Sequence, residues 1–398
     1  MQRDWTSRRR SRLEPHQPGL VTAFLGACLT LLLPGQSPAS TWRVPATAPT
    51  IQAGIDSAAA GDTVLVAGGT YTGLGNRDIH FRGHDIVVRS EAGPDFTTID
   101  VQASRSDPHR GFLIDGQLSP AAVLDGFTIV NGYMGLAPGR PVPKVRPGLP
   151  QPEHDLSAGG VKCQDSAPTL RNLVIRNCGS EYTGGGMSVE LLAEPTIVSV
   201  MIQGCSAGFF GGGISIETHS RAHLTNCVFT GNHADRGGGF ACNAEATFEG
   251  CLVSGNEANA EGGGVMIIYP GITTLERTIV WGNCGDDGYG EVCVDNEASI
   301  TFACSVVDPG RIVKLGTGNA TFSGTNVSTA PHFCYPLACQ DAPTLGGDYH
   351  LQAVSPALPN ASPCGERIGP YDAACPSQTP VTIVPWSRLK TLYRDATP

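Results

Sequence analysis

Charge is scarce in this chain. Only 16% of its 398 residues are Asp, Glu, Lys or Arg, and aromatics make up 7%. The net charge of −10 leaves no overall electrostatic footprint for nucleic acid. No close cysteine pair is followed by a histidine pair, so a structural zinc site of the usual spacing is not expected. The longest apolar run, Leu20 to Leu33, is too short for a comfortable membrane span. Uninterrupted helical stretches are also missing, because 51 glycines and 30 prolines punctuate the chain. An interior glycine costs a helix about 1 kcal/mol relative to alanine, so a helical repeat is disfavoured.

What the chain does have is a repeat. Glycine triplets stand at Gly184-Gly185-Gly186, Gly211-Gly212-Gly213, Gly237-Gly238-Gly239 and Gly262-Gly263-Gly264, with starts 27, 26 and 25 residues apart. Near-fixed periods of this size mark solenoids. A short strand-like run follows each triplet, and Met187-Ser188-Val189-Glu190 and Ile214-Ser215-Ile216-Glu217 alternate with period two. A second apolar run recurs once per turn, as in Val200-Met201-Ile202 and Cys227-Val228-Phe229. Three residues beyond it stand Cys178, Cys205, Asn232, Asn256 and Asn283. Parallel strands stacked coil on coil would place these about 4.8 Å apart, so the asparagines can form an amide ladder. The expected fold is all-β: a single-stranded right-handed parallel β-helix, its hand set by the crossover rule.

The domain reading follows the chain. Residues 1–39 read as a signal peptide: Arg8, Arg9, Arg10 and Arg12 precede the apolar run, and Ser37-Pro38-Ala39 offers small residues for cleavage. Leu25-Gly26-Ala27-Cys28 has the look of a lipidation box, but the leucines after Cys28 argue against it. Removal of this leader takes five arginines, one aspartate and one glutamate, leaving a charge of about −13. Residues 40–75 are expected to form an N-terminal cap and first coil. In them Ile51, Ile55, Ala58 and Ala59 share a helical face, ended by Gly61-Asp62. Residues 76–326 form the β-helix, with an insertion at 131–157 rich in Pro and Gly. Residues 327–376 read as a Cys-containing C-terminal cap and 377–398 as a tail. Cysteines at repeat positions are expected as buried thiols. Cys284 with Cys293, Cys334 with Cys339, and Cys364 with Cys375 are the better disulfide candidates.

The stretch PTIQAGIDSAAAGDTVLVAGGTY, residues 49–71, resembles the opening of secreted pectin-lyase-like β-helix proteins. The triplets with Phe229-Thr230-Gly231-Asn232 resemble the GGxI and FxxN repeats of chlamydial polymorphic outer-membrane proteins. The first resemblance implies a β-helix and admits carbohydrate chemistry: a polysaccharide lyase, an esterase or a glycosidase. The superfamily's motifs are not matched, however. Gly285-Asp286-Asp287 resembles one hydrolase element, but no Gly-His-Gly accompanies it, and Arg311-Ile312-Val313 departs from the expected Arg-Ile-Lys. The second resemblance implies a C-terminal barrel, for which Val327 to Pro398 is too short.

Two columns are candidate sites. Alternation points Ser188, Glu190, Ser215 and Glu217 outward, and Lys162, Gln164 and Asn243 join that face from neighbouring coils. Stacked Glu190 and Glu217 are the candidate catalytic pair, since close carboxylates push one pKa up. Their oxygens would also suit calcium, although no metal or other cofactor is required by the reading. The second column lies in the bends and includes Tyr182, Phe210, Arg236, Asp286 and Asp287 as binding candidates. Rings beside carboxylates on a long rigid surface suit sugars. The expectation is a secreted or cell-surface protein that binds a polysaccharide or another surface glycan without catalysis. It would have no nucleic-acid partner and no transmembrane span in the mature chain, with a carbohydrate-active enzyme as the alternative.

Overall fold

The computed structural model describes residues 38–136, 156–285 and 290–375. The expected leader, most of the insertion, residues 286–289 and the tail from 376 lie outside the described residues. Three long sheets of eleven, nine and eight strands, and a fourth of five short strands, carry most of the described chain. Every strand pairing within them is parallel, and the antiparallel contacts are the pair Phe333–Tyr335 with Asp348–Leu351 and an isolated bridge between His109 and Tyr133. Register is unbroken along the repeat: Met187 pairs with Ile214, Ile214 with Phe240, Phe240 with Val265, and Val265 with Val292. The chain is a right-handed parallel β-helix, as the period implied.

The glycine triplets explain themselves in this geometry. Gly211 sits at φ +66°, and the chain turns there so sharply that a Cβ would lie 2.3 Å from the Ile214 carbonyl oxygen. At Gly212 a Cβ would meet the His233 carbonyl oxygen of the next coil at 2.3 Å. At Gly213 it would press on the Gly239 carbonyl oxygen at 2.5 Å and on the Phe229 ring. One glycine makes the turn, and two let neighbouring coils touch backbone to backbone.

Inside the coils, alternate strand residues form one continuous core, with Phe112, Phe229, Phe240, Phe248 and Phe302 fully buried. Neutral ladders satisfy the backbone at the bends. The Asn256 amide donates to the carbonyl of Phe229 and to the side-chain oxygen of Asn283 at 2.9 Å each, and its own oxygen accepts from the Asn232 backbone at 2.9 Å. A second bend carries Cys227, Cys251, Thr278 and Ser305 in the same role: each residue's backbone N–H donates to the side chain one coil on. Cys178, Cys205, Cys227, Cys242 and Cys251 are buried free thiols, as expected. Burial pushes the Cys242 thiol up to about 11.

The helix Ile51–Ser57 packs Ile51 and Ile55 into the first coil and is N-capped by Thr50, whose hydroxyl accepts from Ala53 N–H at 3.2 Å. It ends at Ser57 rather than at Gly61. The Asp62 carboxylate takes the Ala59 N–H at 2.9 Å and holds the following turn open.

The disulfide expectation is corrected. The bonds are Cys284–Cys339, Cys304–Cys364 and Cys334–Cys375, with Cys293 a buried free thiol. The expected pairs were local in sequence, but segment 327–375 doubles back along the outside of the eight-stranded sheet. Its Phe333, Tyr349, Leu351 and Ile368 cover Val228, Leu252 and Ile279, and Thr344 N–H donates to the Gly231 carbonyl at 2.9 Å. That path carries Cys339 to Cys284 and Cys364 to Cys304 on the coils, while Cys334–Cys375 closes the segment on itself. The last strand, Asn319–Ser323, keeps Phe322 45% exposed. No helix among the described residues is long and apolar enough to cross a membrane.

Candidate functional site

The outer face of the nine-stranded sheet gathers most of the candidate residues. Register places Gln164 beside Glu190, and Val189 beside Ile216, so Glu217 stands next to Glu190, about one strand spacing of 4.8 Å away. Counting one coil back and one forward adds Asp115 and Asn243. The result is a half-buried polar stripe: Asp115, Gln164, Glu190, Glu217 and Asn243.

A second outward column, two residues earlier on each strand, is not exposed as the alternation implied. Lys162 is 5% exposed, Ser188 0% and Ser215 3%. The left-handed turn at the first glycine of each triplet folds the preceding bend back over the strand that follows. At Gly184 a Cβ would lie 3.0 Å from the Cβ of Ser188, which shows how closely the bend lies on that column. The bends thus become a rim, and their residues meet the stripe. The Tyr182 phenol is raised first by burial and then by the Glu217 charge.

Under the rim the charges are matched. Lys162 Nζ lies 3.0 Å from Glu190 Oε2 and 3.2 Å from Ser157 Oγ, and Ser188 Oγ donates to Glu190. Leu156 and Ser157 bring the returning arm of the insertion to this edge, where the Leu156 carbonyl accepts from Tyr182 N–H at 3.2 Å. Glu217 accepts from Ser215, yet its carboxyl is raised above the ordinary range, first by burial and next by Glu190.

The rim itself is aromatic. Tyr182 stacks on Phe209 with ring centroids 5.7 Å apart, and Phe209 meets Phe210 edge-on at 4.3 Å. The Arg236 guanidinium lies 5.5 Å from the Phe209 ring centre and 5.9 Å from that of Phe210, with Nε donating to Glu261. Phe210 also packs on Ala241, Met266 and Cys293, so the buried column of Lys162, Ser188 and Ser215 turns apolar from Ala241 onward.

The structure therefore joins Lys162, Gln164, Glu190 and Glu217 to Tyr182, Phe210 and Arg236 on one surface. Asp286 and Asp287 lie outside the described residues. Sequence reasoning missed the start of the stripe. His80 Nε2 bonds Asp115, and Gln164 Nε2 approaches Asp115 at 3.5 Å. Arg82 N–H donates to His80 Nδ1 at 3.0 Å, which leaves Nε2 to carry the proton toward Asp115. The alternation Phe112-Leu113-Ile114, carried one residue on, was the available signal. The described residues assemble no group of three or more His, Cys, Asp or Glu side chains able to hold a metal ion. Clefts of about 330 and 370 Å³ lie elsewhere, beside Arg105 and Arg277, because a stripe on a sheet face is open rather than enclosed.

No family model matches the chain, and no curated protein matches it, so the likeness of the triplets to polymorphic outer-membrane proteins gains no support. Among solved structures, that of the pectate lyase Pel9A matches with a TM-score of 0.43 and 13% identity, over 85% of this chain and 98% of that one. The β-helix itself is established by the strand register described above.

Proposed function

We propose that this is an extracytoplasmic β-helix protein that binds a polysaccharide or cell-surface glycan along the stripe and its aromatic rim, without catalysis. One observation carries the reading: the strongest charges on the face are engaged with each other. Lys162 is held by Glu190 and Arg236 by Glu261, while half-buried rings and amides line much of the rest. A face built this way offers stacking and hydrogen bonds rather than a free nucleophile or base. Three disulfides in the fold suit an oxidising compartment outside the cytoplasm. The test is a glycan array followed by product analysis on every polysaccharide retained. Retention without shortened or unsaturated products is expected, and such products would replace binding with catalysis.

A second reading rests on Glu217. A carboxyl held toward its protonated form beside an ion-paired carboxylate is the division of roles a retaining glycosidase needs. On that reading Glu217 donates the proton and Glu190 attacks, and loss of turnover in Glu217→Gln is its signature.

A further inference from the structure

Charge on this face also selects the class of ligand. Resting on the glycan-binding reading, we infer that the ligand is an uncharged polysaccharide, and that polyuronates and polymers of free amino sugars are refused.

A uronate carboxylate needs a cation with donors to spare, best a forked guanidinium. Three cations among the described residues border the stripe, and each already faces a carboxylate: Arg82, Lys162 and Arg236, with Arg82 Nε 3.0 Å from Asp56 Oδ1. Lys162 is 7% exposed at the side chain, faces Glu190 and Ser157, and lies beneath the bends. Arg236 gives Nε to Glu261, keeps Asp235 at 4.0 Å, and holds its guanidinium carbon 5.5 and 5.9 Å from the ring centres of Phe209 and Phe210. A uronate chain laid along the stripe would instead run past Asp115, Glu190 and Glu217. With those carboxylates already engaged and no cation left with its fork free, the uronate carboxylates would be desolvated there without a partner.

The opposite charge is served no better. Glu190 and Glu261 already hold cations, Asp115 is taken by His80 and Gln164, and Glu217 is biased toward its neutral form. What the surface does present is neutral chemistry. Gln164 and Asn243 carry half-buried amides that both donate and accept. A sugar hydroxyl is the group that satisfies such amides without bringing charge. Beside them stand the faces of Tyr182 and Phe209, suited to the apolar side of a pyranose.

The experiment is isothermal titration of the mature chain with a neutral β-glucan or galactan, with polygalacturonate and with chitosan. The expected result is a neutral polymer bound at least about tenfold more tightly than either charged one. Its affinity should change less than about twofold between roughly 0.05 and 0.5 M salt, where surface charge is screened. Polygalacturonate or chitosan binding as tightly as every neutral polymer overturns the inference and leaves glycan binding standing. Binding of no polymer removes the glycan reading itself, and the inference with it. A gain-of-function arm sharpens the test. Glu261→Gln strips Arg236 of its nearer carboxylate and should raise polygalacturonate affinity about tenfold relative to the neutral polymer. No rise would show that Arg236 was never neutralised by Glu261, and would overturn the charge argument.

Discussion

One polar column runs inside the coils, from Asn232 through Asn256 to Asn283. Another runs outside them, from Asp115 through Glu190 and Glu217 to Asn243. The inner rungs are neutral, fully buried and matched to one another and to backbone carbonyls. Charge enters only where that ladder stops: Asn283 Nδ2 reaches Glu291 at 3.2 Å, and Arg311 answers Glu291 at 3.1 Å. The outer column is charged and half open. A closed neutral column stabilises a fold at little cost. The outer column instead leaves polar groups at a surface that a ligand can reach, and the binding reading is placed there for that reason.

The contrast is sharpest under mutation. Asn256→Leu should have the largest effect. It strands the Asn232 N–H and the Phe229 carbonyl, each worth about 1–3 kcal/mol when buried unpaired. Denaturant unfolding should show a loss of about 3 kcal/mol or more, with glycan affinity of the folded protein unchanged. A loss under about 1 kcal/mol would make the ladder dispensable.

Next comes the ion pair beneath the rim. Lys162→Met leaves Glu190 charged and nearly dry, at a cost of about 3 kcal/mol, and adding Glu190→Gln should recover most of it. Additive losses in the double variant would mean the two side chains do not act as a pair. For the same reason Glu190→Gln alone should lower the melting temperature, although the sequence placed Glu190 in solvent, where the change would be silent.

The smallest effect is on pH dependence. The Glu217 carboxyl is raised in the folded state, so the folded protein binds more protons there than the unfolded chain. Its contribution favours folding at low pH and is lost as pH climbs from the ordinary carboxylate pKa of 4.5 through the raised one. Glu217→Gln should flatten that fall, so that the variant gains stability on the wild type between acid and neutral pH. Parallel stability curves for the two proteins would show that Glu217 does not titrate abnormally.

Much of the fold was legible. The period, the asparagine ladder, the buried thiols and the capping helix all follow from spacing and residue type. Two things were not. The triplets announced bends, but only a positive φ at the first glycine tells which way a bend leans, so the burial of Lys162, Ser188 and Ser215 was out of reach. The disulfides depend on segment 327–375 doubling back along the eight-stranded sheet, a path that no local pattern encodes. Within the site, Glu190 and Glu217 were found by alternation, whereas Asp115 and His80 sit on irregular early coils where no triplet marks the register.

The account's central claim is that the outer stripe and its rim, not the ladder or the flank, meet the ligand. Hydroxyl-radical footprinting with and without a bound neutral polysaccharide tests it directly, because reactive side chains mark each surface. Tyr182, Phe209 and Phe210 on the rim, and Leu191 and Leu192 at the stripe's edge, 51% and 65% exposed, should be protected. Tyr335 and Leu345 on the C-terminal segment, 48% and 44% exposed, should not change. Protection of those two with the rim unaltered would contradict the account.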